Sequence, residues 1–165
     1  PDYTYGITVN LGYKGFDLNV FGNGVAGNDI FTVFYRADTP MRNSLRYYYD
    51  NAWTPQNTGA SMPDPAKVAT SWKFWSSSAA MFNGAYFKIK QIQLGYTLPA
   101  SITNRILVNR LRCYVSLDDY ITFTKYPGTD PETATASNNG ASSTGYDNGT
   151  YPQARKVIFG VNITF

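Results

Sequence analysis

Residues 3–21 read YTYGITVNLGYKGFDLNVF, and the alternation in that stretch decides the fold class. Tyr3, Tyr5, Ile7, Val9, Leu11 and Tyr13 fall on one face of an extended chain, and Thr4, Gly6, Thr8, Asn10 and Gly12 on the other. Side chains in a strand alternate between faces, so this is a strand with one apolar and one small or polar face. Lys14-Gly15 makes a tight turn, after which Phe16, Leu18 and Val20 continue the apolar face of a second strand.

Working outward, the pattern returns three more times. The expected strands are 3–13, 16–22, 85–98, 111–123 and 155–165. In the third, Phe87 and Ile89 are odd-numbered, whereas Ile92, Leu94, Tyr96 and Leu98 are even. One face stays apolar only if the register shifts between Lys88 and Ile92, as a β-bulge would do. The fourth places Leu111, Cys113, Val115, Leu117, Ile121 and Phe123 together. Short connections (Lys14-Gly15, and PASITNRILVNR with one helical turn) alternate with long loops at 23–83 and 124–154. Within the first loop, MRNSLRYYYDNAW is expected to hold a short helix.

Composition agrees with an all-β chain. Aromatic residues make up 16% of the 165, with 14 Tyr and 10 Phe, while charged residues reach only 15%, below the roughly 25% of ordinary soluble domains. The net charge of +3 is spread along the chain and leaves no basic stripe for nucleic acid. There is no histidine, and the single Cys113 permits neither an intrachain disulfide nor a thiolate zinc cluster. No cofactor, metal or catalytic residue is expected. No segment approaches the 18 or so apolar residues of a membrane helix, which leaves strands as the means of crossing.

Alternation serves two architectures. In a secreted or surface β-sandwich, a carbohydrate-binding or adhesion module, the apolar face packs on a core. In an outer-membrane barrel it meets lipid, and the polar face lines a lumen. Aromatics near the ends of the apolar faces (Tyr3, Tyr13, Phe16, Tyr96, Phe123, Phe165) match interfacial girdles, and the alternation of short turns with long loops matches a barrel. On that reading Lys88, Lys90, Arg112, Asp118 and Lys156 face the lumen. The last strand, Val157, Phe159, Val161, Ile163 and Phe165, also resembles the sorting signal read by the outer-membrane assembly machinery.

Five ordered blocks carry a family resemblance: YKGFDLNVFGNGVAGNDIF, WTPQN, NGAYFKIKQIQLGYTLP, TFTKYPGTDPE and GTYPQARKVIFGVNITF. Together they resemble the C-terminal portion of the SusC/RagA family of TonB-linked outer-membrane transporters. The resemblance runs over essentially the whole chain and departs at SLDDY, Ser116 to Tyr120, where the family commonly has an amide-rich Gly/Asn stretch. It implies a plugged barrel of about 22 strands that imports glycans or peptides in Bacteroidota with energy from TonB. It also implies a SusD-like surface lipoprotein closing the extracellular mouth. This chain would then be a five-strand C-terminal barrel segment without plug or TonB box, its last strand pairing with the first strand of the complete barrel.

Candidate sites are few. Asp118 and Asp119 are strand neighbours, point to opposite faces and cannot converge on one substrate. Asp118 is expected on the lumen side, and Asp119 near a membrane interface or in a bulge. Asp130 and Glu132 in GTDPE offer oxygen ligands for calcium, against a turn fixed by Pro131. The sequons at Asn148 and Asn162 are read as chance. The first long loop supplies the aromatics Tyr48, Trp53, Trp72 and Trp75 (with Phe74), which either contact ligand or lid or pack the loop on itself.

Overall fold

Lys14 and Gly15 both take positive φ, 45° and 88°, the pair of left-handed residues that a two-residue type I′ hairpin requires. In the computed structural model that turn joins β1, Tyr3–Tyr13, to β2, Phe16–Ala26. The structure describes residues 1–32, 45–64, 67, 73, 76–135 and 145–165, and the chain divides into two units.

The first unit, residues 3–25, 87–123 and 153–165, is a five-stranded sheet. β5 spans Tyr86–Thr97, β6 Arg110–Thr124 and β8 Lys156–Thr164, in the order β1-β2-β5-β6-β8. β1 and β8 are its edges. β6 and β8 run antiparallel in unbroken register from Arg110 opposite Thr164 to Asp118 opposite Lys156. A short helix α2, Ala100–Thr103, and a 3-10 turn, Asn104–Ile106, bridge β5 to β6.

Strand β2 runs four residues beyond its expected end near residue 22. Its glycines hid this, because Gly22 and Gly24 carry no side chain to alternate. The Phe87 ring fills the space over Gly22, where a Cβ would come within 2.6 Å of it. Cross-strand aromatics often shelter strand glycines in this way.

The expected phase change in β5 is present. Tyr86 and Lys88 are buried at one end, whereas at the other Gly95 is buried and Leu94 and Tyr96 are exposed. The sheltered positions pass from even to odd. Gln93 bonds Arg112 on the Gly95 side, which puts the shift between Lys88 and Gln93.

The apolar face is open. Tyr3 is 70% exposed and Phe159 80%, with Ile7, Leu11, Tyr13, Val161 and Ile163 also exposed. A sandwich would bury this face under a second sheet, and the described residues place none over it. A soluble surface rarely shows an apolar expanse of this size.

The second unit, residues 1–2, 26–86 and 124–152, gathers both long loops. β3, Asp29–Thr32, pairs antiparallel with β4, Met81–Asn83, and parallel with β7, Tyr146–Asp147. Ile30, Tyr126 and Ala134 form its core, with Phe82 packed against them. The short helix expected within MRNSLRYYYDNAW appears as α1, Arg46–Asp50, and a further one-turn helix, α3, covers Pro131–Thr135.

Candidate functional site

The polar face of the five-stranded sheet carries a lane of side chains that crosses four strands. Arg112 on β6 reaches Asp17 on β2, its Nε donating to Oδ1 at 2.9 Å and its Nη2 to Oδ2. Strand β5 lies between them in the sheet. The pair passes over Gly95, where any Cβ would overlap both the guanidinium and the carboxylate. Bidentate pairing fixes direction as well as distance. Gln93 Oε1 accepts a third bond from Nη2 at 3.2 Å.

The lane continues toward the edge. The Arg112 guanidinium stacks on the Tyr114 ring at 5.0 Å, and that ring covers Gly160, its direct partner on β8. Cation–π contact and aromatic shelter of a glycine tie β6 to β8.

The other sheet residues singled out in the sequence form separate pairs. Lys88 is buried, 2% exposed. Lys90 Nζ bonds Asp119 Oδ1 at 2.9 Å. Asp119 has φ 59°, so the strand is locally left-handed there. Asp118 Oδ1 accepts from Ser116 Oγ at 2.6 Å, and Lys156 stands opposite it in register. The two carboxylates do not converge. Val157, Phe159, Val161, Ile163 and Phe165 are all exposed.

In the loop unit Tyr48 is 7% exposed, its hydroxyl donating to the Ala79 carbonyl at 3.4 Å and its ring against Tyr47 and Phe82. Burial pushes its pKa above the ordinary tyrosine value. This side chain packs within the loop unit. Trp53 lies differently. Thr54 and Asn57 close a turn beside it, with Asn57 N donating to Thr54 O at 2.9 Å. Its half-open ring lines a cleft of about 340 Å³ with Ala60, Met62, Pro63 and Lys67, and Lys67 Nζ stands 5.8 Å from the ring centre. Trp72, Phe74 and Trp75 lie outside the described residues.

Asp130 is a helix cap: its Oδ1 accepts from Glu132 N at 3.0 Å and its carbonyl from Thr133 Oγ1 at 3.1 Å. Among the described residues no group of three or more Asp, Glu, Cys or His is placed to hold a metal ion. Tyr126 donates its hydroxyl to Asp147, which also accepts from Gly149 N at 2.8 Å.

Sequence reasoning missed Asp17, Gly95, Tyr114 and Gly160. Alternation put Asp17 on the polar face of β2, but only strand order brings it to Arg112 across an intervening strand.

No protein-family model matches the chain. Along its whole length it is 34% identical to TonB-dependent receptor P3 of Formosa agariphila and covers 16% of that protein. It is 25% identical to TonB-dependent receptor P26 of the same organism, covering 17%. The chain is similar along its whole length to TonB-dependent receptors. It spans about a sixth of the length of the curated relatives it matches. Solved structures of the RagAB peptide importer in its open-open and closed-closed states align with TM-scores of 0.70 and 0.72, at 20% and 21% identity. Each alignment covers 98% of this chain and 17% of the other. That likeness shows the fold alone: a mostly β-stranded chain that matches one part of the importer.

Proposed function

We propose that this chain is part of a SusC/RagA-type transporter, in which it forms five adjacent strands of a plugged outer-membrane barrel, of about 22 strands, that imports glycans or peptides with energy from TonB. The observation that carries this is the open apolar face of five strands in a chain related throughout to TonB-dependent receptors. Backbone groups in hydrocarbon must be paired, and only a closed barrel does so with strands. The open edges β1 and β8 therefore need further strands. The apolar face meets lipid, and the Asp17–Arg112 lane, Lys88, Lys90, Asp118 and Lys156 face the lumen and plug. The two long loops form the extracellular mouth beneath a SusD-like lipoprotein, and the last strand is read by the assembly machinery.

The test is uptake by cells lacking the gene, offered defined oligosaccharides and oligopeptides in turn. Loss of one class of uptake, reproduced when TonB is removed, is expected and names the substrate class. Undiminished uptake of every compound would overturn the reading.

Topology is checked separately. With Cys113 replaced by serine, Thr58→Cys and Tyr151→Cys are both expected to react with an impermeant maleimide on intact cells, and Lys14→Cys is not. Reaction of only one loop site would break the assignment.

Trp53 is the proposed ligand or lid contact. Trp53→Ala should weaken uptake or lid association by about two- to tenfold, the loss of roughly 0.5–1.5 kcal/mol at one aromatic contact, with the barrel still assembled. Equal uptake and lid capture would leave Trp53 a packing role alone.

A further inference from the structure

The end of the sheet that carries its short turns combines three things. Gly15 O accepts from Thr97 N at 2.8 Å, Leu111 O from Leu98 N at 2.9 Å and Thr164 O from Asn109 N at 2.9 Å. These bonds gather the Lys14-Gly15 turn, the α2 connector and the end of β8 at one end. Aromatic rings surround it: Tyr13 with Lys14 Nζ 5.2 Å from its ring centre, Phe16 against Tyr96 at 4.5 Å, and exposed Phe165. The connector adds Leu107, 89% exposed, together with exposed Ile102.

Leu107 has φ 56°, a conformation that costs a side chain about 1 kcal/mol or more. It holds a large apolar group outward where water would meet it. Lys14, Arg105 and Arg110 are exposed cations at this end of the sheet. Residues 98–111 contain no Asp or Glu, and the nearby Asp17 is already paired with Arg112. Apolar tips flanked by cations suit one chemistry: hydrocarbon below and phosphate above.

We propose that this end of the sheet is a phospholipid-binding surface. Leu107 and Ile102 enter the hydrocarbon edge, and Lys14 and Arg105 hold the phosphate of an anionic headgroup in the leaflet that faces the short turns. The inference rests on the barrel reading above and adds a lipid site to it.

The experiment uses the full-length transporter in nanodiscs of phosphatidylcholine with or without phosphatidylglycerol, with Cys113 replaced by serine. Spin labels at Leu107→Cys, Val161→Cys and Thr58→Cys are compared for collision with oxygen and with a water-soluble nickel chelate. The Leu107 label is expected to prefer oxygen, as the Val161 label does, and the Thr58 label to prefer nickel. A Leu107 label as open to nickel as Thr58, beside a lipid-embedded Val161 label, overturns the site while leaving the barrel. Nickel-accessible labels at both Val161 and Leu107 overturn the barrel reading and the site with it.

The headgroup arm compares phosphatidylglycerol retained by wild type and by Lys14→Asn/Arg105→Gln, in which asparagine preserves the left-handed turn. Retention should fall about thirtyfold, the factor that about 1 kcal/mol per basic side chain gives for two. Equal retention overturns the headgroup assignment.

Discussion

Gly95→Val should prevent most of the transporter from reaching a heat-modifiable, folded form in the outer membrane. A Cβ at residue 95 overlaps both the Arg112 guanidinium and the Asp17 carboxylate, so the pair must open or β5 must move. Overpacking of this kind costs about 1–3 kcal/mol. Loss of the bidentate pair adds less than a buried pair would, because the Asp17 side chain is 40% exposed. The clash has a signature. Adding Arg112→Ala to Gly95→Val should restore part of the folded yield, and adding Arg112→Lys should restore less, since its longer stem still crosses residue 95. Wild-type yield for Gly95→Val, measured by gel mobility with and without heating, would show that the lane over β5 is not what holds these strands.

Tyr126→Ala should disorder the loop unit while leaving the sheet assembled. Its ring packs with Ile30, Phe82 and Ala134, and aromatic-to-alanine changes in a core cost about 3–5 kcal/mol. It also donates to Asp147, which is 2% exposed. Tyr126→Phe isolates that contribution, about 1.5–3 kcal/mol for a hydrogen bond to a charged group. The readout is protease added to intact cells. Tyr126→Ala should be cut in the loops rapidly and Tyr126→Phe more slowly, with the heat-modifiable barrel core intact in both. Resistance of Tyr126→Ala equal to wild type would mean that the loops are held from elsewhere.

Several features were legible in order alone because they are periodic. The alternation of Tyr3 to Tyr13 and of Leu111 to Leu117 fixed strands and faces, since side-chain direction in a strand depends only on parity. The same counting located the phase change in β5, where apolar positions pass from Phe87 and Ile89 to Ile92 and Leu94. Lys14-Gly15 announced the hairpin through its backbone preference. Periodicity failed where side chains are absent: β2 reads as ending at Gly22 because glycine carries no alternation, although the strand continues to Ala26. In the loops, an aromatic cluster such as RYYYDNAW does not say which rings face inward, and the structure buries Tyr48 while leaving Trp53 half open.

Partnership was decided only in three dimensions. Arg112 and Asp17 are 95 residues apart and on strands that are not neighbours, so no local rule pairs them. Strand order brings them to one line, and the missing side chain of Gly95 leaves room for the contact. Likewise Asp119, at φ 59°, meets Lys90 while Asp118 meets Ser116, partners that alternation does not name. A one-dimensional pattern sets which way each side chain points. Which groups meet depends on the order and register of strands, and those are settled by the pairing of the whole sheet.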